Sequence, residues 1–397
     1  MNICGIVCEY NPFHNGHLYQ IEETRQRGAD GIICVMSGNF VQRGDFAIMP
    51  KTARAASAVR SGADVVIELP VPWSISSAER FAAGAVSVLD ALGVVSSISF
   101  GAECADEKKL LRIAKIFTDK DFDAKVMEEY SSGISFAAAR ERALAKVDSS
   151  LSPLIAEANN ILAVEYLKAI TRLKSPIRPI VIKRTGASHD STQASESIAS
   201  ASYIRELISR GEDFSKFVPR SSAMLFEEEA EKGTAPVFSS AADRAIMSVL
   251  KRLTPEDFAK YGDVSEGLEF RLFDAVEKSH SVADAVDLAK TKRYAHARIR
   301  RIFLNAFLDI DSSLSLGRVP YARILAFNNR GREIIKKAKK LSQIPIITRP
   351  SSIKNEDERL QTLFALERRA DDIYSLFMKA PISQGSTFTQ SPIYIED

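Results

Sequence analysis

The apolar run Ile3 to Val7 is followed by Asn11-Pro12-Phe13-His14-Asn15-Gly16-His17, and a helical pattern begins there. A strand that feeds a helix through a turn rich in polar residues and glycine is the opening unit of an α/β sheet, and it constrains the fold more than any other segment. The helix start offers unpaired backbone N–H groups and a partial positive charge, which suit an anion. Gly16 lets the backbone come close to such a ligand. His14 and His17, three apart, share one face and can donate hydrogen bonds to oxygens whose charge grows during attack at phosphorus. A helix cap with two surface histidines is the plainer alternative.

The alternation continues. Gly31 to Met36, Asp64 to Leu69, Val94 to Phe100 and Ile177 to Lys183 read as strands, with helical stretches at His17 to Arg27, Ala47 to Ser61 and Ser77 to Leu92. This order predicts a parallel sheet flanked by helices, with its ligand beyond the carboxyl ends of the strands. Asp106 to Val147 is charged and helical, and reads as an inserted or appended hairpin. After about Glu212 the pattern turns mostly helical: Ala241 to Leu253, Leu268 to Lys278, Val282 to Lys290 and Ala295 to Leu308. Leu341 to Ile347 reads as a lone strand, and the tail from Ser383 as loose or as an extended arm. The expected division is 1–212, a sheet-based domain with a helical insertion at about 106–150, and 213–397, a mostly helical, basic domain.

At 397 residues and 45% hydrophobic the chain is long enough for two or three cores. No run approaches the ~20 apolar residues of a membrane span, and the N-terminus has no leader pattern, so a cytoplasmic protein is expected. Cys4, Cys8, Cys34 and Cys104 lack paired C-x-x-C spacing and read as buried small hydrophobes, with no metal site expected.

Further polar motifs fall at strand ends. Ser37-Gly38-Asn39-Phe40-Val41-Gln42-Arg43-Gly44-Asp45 follows the second strand; Arg43, with Lys51 and Arg54 downstream, can supply positive charge to a triphosphate or carboxylate. The alternative is a turn before an ordinary helix. Glu68, inside a buried strand run, can orient a basic neighbour. Phe100-Gly101-Ala102-Glu103 either lets a base or ribose lie on the backbone or simply ends a strand. Asn159 and Asn160 either cap a helix or contact a nucleotide. Ser200-Ala201-Ser202-Tyr203-Ile204-Arg205 suits a phosphate cradle at a helix start or an N-capping run.

The H-x-G-H at His14 to His17, followed late in the chain by S-x-S-x-I-R at Ser200 to Arg205, resembles the nucleotidyltransferase and class I aminoacyl-tRNA synthetase superfamily. The stretches GIVCEYNPFHNGH from Gly5, SGNFVQRGD from Ser37, GADVVIELP from Gly62, FGAE from Phe100, NNILAVEY from Asn159, IKRTGASHD from Ile182 and SASYIR from Ser200 resemble one bacterial family in it, the tRNA(Met) cytidine acetate ligases. Arg298 to Arg301 and Tyr321 to Asn328 fit as well. The resemblance spans most of the chain and implies a Rossmann-like nucleotidyltransferase fold. It also implies that acetate and ATP form acetyl-adenylate, whose acetyl passes to the exocyclic amine of the wobble cytidine of elongator tRNA(Met); Mg2+ on the triphosphate is expected from the chemistry.

In that family ATP meets the first loop and helix, here Val7, Cys8, Glu9, Tyr10, Asn11, Pro12, Phe13, His14, Asn15, Gly16, His17, Leu18, Tyr19 and Gln20. It also meets Gly101, one of Asn159 and Asn160, and Arg184 with Thr185; Ser200 and Ser202 would cradle phosphates. His14, His17, Lys51 and Arg205 are the expected catalytic groups, with Arg43 assisting. Two local departures are Ala187-Ser188 before His189, where a tyrosine is expected, and Ala163, where a glycine is expected. Basic runs at Lys292 to Arg301 and Arg318 to Lys340 are candidate phosphate contacts, with Arg298, Arg300, Arg301, Arg323 and Lys336 foremost and Tyr294 or Tyr321 for stacking. The alternatives are a coenzyme-type adenylyl- or cytidylyltransferase acting on a small phosphorylated substrate, and a non-catalytic, nucleotide-dependent RNA-binding protein.

Overall fold

The computed structural model describes residues 1–184, 197–265 and 267–396. Its centre is an eight-stranded sheet of β1 (Ile3–Cys8), β2 (Gly31–Ser37), β3 (Val65–Leu69), β4 (Ser97–Ala102), β5 (Arg178–Lys183), β6 (Ala322–Phe327), β7 (Ile346–Ile347) and β8 (Ile393–Tyr394). The order is β8-β6-β3-β2-β1-β4-β5, with β7 also on β6. The five strands of the first half run parallel, Ile3 facing Gly31 and Cys8 facing Met36, whereas β6 is antiparallel to β3.

Alternate residues of each strand feed two cores. Ile33, Val35, Val65 and Ile67 enter one, shared with the helices Ala78–Ala91 and Ala158–Leu173. Ile32, Cys34, Met36 and Val66 enter the other, closed by α1 (Asn15–Gln26) and α2 (Lys51–Arg60). Burial on both faces is why parallel strands read as unbroken apolar runs. It also explains Cys4, Cys8 and Cys34, which are buried free thiols in the second of these cores.

The segment after Asp106 forms three helices, Glu107–Ile116, Lys120–Tyr130 and Phe136–Val147, rather than a hairpin, and Leu110, Phe117, Val126 and Leu144 merge into the sheet's first core. The later helices Asp243–Leu250, Leu268–Lys278, Val282–Ala289 and His296–Leu308 build a separate core. Beyond them lie two differences from the sequence reading. Ala322–Phe327 is a strand, and the lone strand expected over Leu341 to Ile347 shortens to Ile346–Ile347 paired with it, Leu341 being the end of the helix Asn329–Leu341. The sheet therefore draws strands from both sides of residue 212. Among the described residues no helix is long and apolar enough to cross a membrane.

Candidate functional site

The sheet order turns back at β1, which has β2 on one side and β4 on the other, so a crevice opens beyond their carboxyl ends. From Cys8 the chain passes through Glu9 and Tyr10, which is left-handed (φ 48°), and enters α1 with His14 as N-cap. The buried Tyr10 and Phe13 rings pin the turn, and Asn11 Oδ1 accepts from Ile48 N at 2.7 Å. His14 Nδ1 accepts from Gly16 N at 3.1 Å, while His14 N donates to His17 Nδ1 at 3.2 Å. The two rings stack at 3.6 Å between centroids. A neutral imidazole whose Nδ1 accepts carries its proton on Nε2, so capping sets both histidines as Nε2–H donors. A Cβ on Gly16 would stand 3.0 Å from His14 Cε1, so the glycine makes room for this ring. The first turn of α1 holds no acidic residue, so no carboxylate of its own offsets its positive end.

The late motif docks on this turn. Ser200 caps the helix Ala201–Arg210 by accepting from Tyr203 N at 3.1 Å. Arg205 donates to the Asn11 carbonyl at 2.8 Å and to Ser202 Oγ at 3.3 Å. Asn15 Nδ2 binds the carbonyls of Ser197 and Lys216 at 2.8 and 3.0 Å. The H-x-G-H and S-x-S-x-I-R elements are thus one assembly. Glu9 accepts from Gln42 N at 2.7 Å; burial pushes its carboxyl up, and Arg205, Arg54 and Arg43 oppose that. Burial lowers the proton affinity of Arg205, against the charges of Asp45 and Glu9.

Across the crevice, β4 ends at Gly101-Ala102, and the stem of Arg184 lies over Gly101, its Cγ 3.3 Å from where a Cβ would be. Glu103 accepts from Asn159 Nδ2 at 2.5 Å and from Asn160 N at 3.0 Å. Both ends of the Asn160 amide serve the fold: Oδ1 accepts from Cys104 N and Nδ2 donates to the Leu154 carbonyl, each at 2.9 Å. Thr185 lies outside the described residues.

Three basic residues expected to meet substrates are interior. Lys51 is 3% exposed and sits between Glu68 Oε1 at 2.5 Å and Asp371 Oδ2 at 2.6 Å. Arg323, also 3% exposed, donates to Glu68 Oε2 at 3.0 Å and lies 3.8 Å from Asp371. Asn39 Nδ2 and Thr387 Oγ1 complete the ring on Asp371 at 2.8 and 2.6 Å. Buried ions must be paired, and Lys51, expected as a catalytic group, and Arg323, expected as a tRNA contact, stand here as paired interior ions. Glu68 does orient a basic residue. Arg54 is fully buried and ties the carbonyls of Glu9, Ser37, Gly38 and Met49, which locks the ends of β1 and β2 together. The sequence reading missed Asp371, Glu367 and Thr387, which carry no local motif; Glu68 in an apolar strand was the only signal.

The remaining basic candidates divide. Arg298 holds the Asp263 carbonyl at 2.6 and 2.8 Å, and Arg301 the Asp263 carboxylate at 3.1 and 3.3 Å, so both brace one loop. Arg300 between them is exposed. Lys336 is exposed on the helix Asn329–Leu341, whose Gly331 and Ile334 rest on Asp64 and Gly31 at the amino ends of β3 and β2. That is the edge of the sheet opposite the crevice, and the structure does not bring Lys336 to it. Tyr294 and Tyr321 are buried.

The sequence profile of the HIGH Nucleotidyl Transferase family matches residues 1–388. The tRNA(Met) cytidine acetate ligase of Acetivibrio thermocellus is 39% identical over 99% of this chain and 100% of its own, and that of Thermoanaerobacter sp. 40% over 98% of each. The crystal structure of Thermotoga maritima TmcAL without ligand superposes with a TM-score of 0.96 at 33% identity, covering 100% of both chains. The crystal structure of the same protein bound with alpha-thio ATP gives 0.93 over the same coverage.

Proposed function

The chain belongs to the HIGH nucleotidyl transferases and, within them, to the tRNA(Met) cytidine acetate ligases, and from that premise we propose how its residues perform the two steps. The enzyme consumes ATP and acetate and acetylates cytidine in tRNA(Met). In the first step an acetate oxygen attacks the α-phosphorus of ATP, the bond to the β-phosphate breaks, and pyrophosphate leaves with the electron pair. The product, acetyl-adenylate, has a far better leaving group than acetate itself. His14 and His17 present Nε2–H donors to the α-phosphate oxygens as their charge grows. Arg205, with Arg43, neutralises the departing pyrophosphate, and the capped start Ser200 to Ser202 adds backbone and hydroxyl donors. Gly101, Arg184 and Asn159 line the nucleoside side. Asn159 is preferred to Asn160, whose amide is committed at both ends.

In the second step the exocyclic amine of the wobble cytidine of elongator tRNA(Met) attacks the acetyl carbon. The bond to AMP oxygen breaks, AMP leaves, and the amine gives up a proton. Mg2+ is expected to enter on the triphosphate, whose oxygens suit it; among the described residues no group of three His, Cys, Asp or Glu forms a cage for it. Since the substrate is tRNA, the cytoplasm is taken as the working compartment.

The observation that carries the assignment of roles is the bond from Arg205 to the Asn11 carbonyl, which fixes the late helix on the histidine turn. The test is incubation with ATP, labelled acetate and tRNA(Met), alongside acetate-dependent exchange of pyrophosphate into ATP. Label should reach tRNA, and His14→Ala or His17→Ala should lower exchange by about 100-fold or more; an alanine variant that still exchanges at the parental rate would remove the histidines from the first step.

A further inference from the structure

A cavity of about 260 Å3 opens between the turn at Gly44, which joins the short antiparallel hairpin of Phe40–Val41 and Asp45–Phe46, and the helices Asp243–Leu250, Val282–Ala289 and His296–Leu308. Its floor is apolar, with Phe46, Ile246 and Phe303. Its polar side chains are Asp45, Asp243 and Arg300, with Ser239 and Ser240 beside them. Gly44 has φ of 73°, and a Cβ there would stand 2.6 Å from Arg301 N, so the turn is seated directly on the helix that carries Arg300. Asp45 fixes one oxygen by accepting from Phe46 N at 2.8 Å, and Asp243 one by accepting from Val282 N at 2.8 Å. The volume is just under the ~300 Å3 at which ligand pockets begin, which suits a single nucleoside.

The hairpin that lines the cavity also reaches the crevice. Asp45 is one of the two carboxylates whose charge acts on Arg205, and Arg205 holds the histidine turn through the Asn11 carbonyl. Gln42 of the same hairpin bonds Glu9. Chemistry on an exocyclic amine requires the base out of its stack, and a carboxylate is the side chain that accepts from cytosine N4. Uracil presents an oxygen at that position and would meet the same carboxylate with repulsion.

We propose that this cavity receives the extruded target cytidine of the tRNA, with Asp45 accepting a hydrogen bond from its N4 amine and Arg300 meeting a flanking phosphate. The inference rests on the function proposed above and deepens it by naming the acceptor subsite. Asp45 then selects cytidine over uridine and turns the amine toward the crevice in which the acetyl-adenylate forms.

The test uses the full-length enzyme with two variants, Asp45→Asn and Ala283→Trp, the latter at an exposed position on the rim. For each, the kcat/KM of tRNA(Met) acetylation is divided by the rate of acetate-dependent pyrophosphate exchange. That ratio should fall about tenfold or more in both, since one good base contact is worth about that much. A tRNA(Met) transcript carrying uridine at the target should compete better against Asp45→Asn than against the parent. A parental ratio in both variants overturns the subsite, as does a proportional loss of exchange, which would assign the cavity to adenylation. Exchange without any acetylation of tRNA by the parent enzyme would bring down the proposed function and the subsite together.

Discussion

Two groups of basic residues that look alike in the sequence end in opposite situations. Arg205 reaches the crevice through one backbone carbonyl, with Glu9 and Asp45 near enough to act on its charge. Lys51 and Arg323 are enclosed with Glu68, Asp371 and Glu367, and the charge of the cluster is settled within itself. Two cations face three carboxylates there, and burial pushes the Glu367 carboxyl well above its ordinary value. The lesson is that a cation serves a ligand only where the fold leaves its compensation incomplete. Under the SGNF loop the fold supplies all of it.

The comparison breaks most sharply if the interior ions are touched. Asp371→Ala strips Lys51 of a partner and should cost about 3–5 kcal/mol in urea unfolding, the usual penalty for one uncompensated buried charge. Were Lys51→Met to unfold like the parent yet lose pyrophosphate exchange, Lys51 would belong with the crevice after all. Next in size, His14→Ala should lower exchange by about 100-fold or more, as removal of a preorganised donor does, against only ~1 kcal/mol of stability from the lost cap.

A smaller effect follows from Glu367. Its folded-state pKa is raised above 4.5, so the fold binds a proton that the unfolded chain has released, and stability declines as pH rises from about 4.5 toward the folded value. Glu367→Gln should therefore match the parent at pH 4 and exceed it increasingly toward neutral pH, read as the urea midpoint. An unchanged gap across that range would mean the carboxyl is ionised in the fold. Smallest of all, Lys336→Glu should leave tRNA affinity close to parental, whereas Arg300→Glu should weaken it and reduce the slope of log K against log salt by about one. Equal losses from the two would extend the tRNA footprint round to the opposite edge of the sheet.

How much could be read beforehand follows the same division. The parallel strands β1, β2 and β3 are legible because they are buried on both faces and Glu68 alone carries charge within their runs. The strand Ala322–Phe327 is not, since Arg323 breaks its apolar run and the carboxylates that make Arg323 tolerable lie far along the chain. The histidine turn and the capped SASYIR helix are legible because their chemistry is local spacing: a ring at N-cap and N3, a serine at N-cap. What spacing could not give was the fate of Lys51 and Arg54, each at the start of a helix beside strand ends, where a free phosphate ligand and a buried tie have the same sequence pattern. The choice between Asn159 and Asn160 was open for a similar reason. Only the loop at Cys104 and the carbonyl of Leu154 distinguish them.

The buried pair of Lys51 and Asp371 spans 320 residues, and this has a consequence for the birth of the protein. At the ~5–20 residues per second of synthesis, Lys51 emerges from the ribosome about 15–60 s before its partner. Through that interval the first five strands can align while β3 still has a bare flank, because β6 is made late. The nascent nucleotide-binding half therefore matures only near the end of translation, and a stalled or prematurely terminated chain leaves an open sheet edge for chaperones and proteases to find.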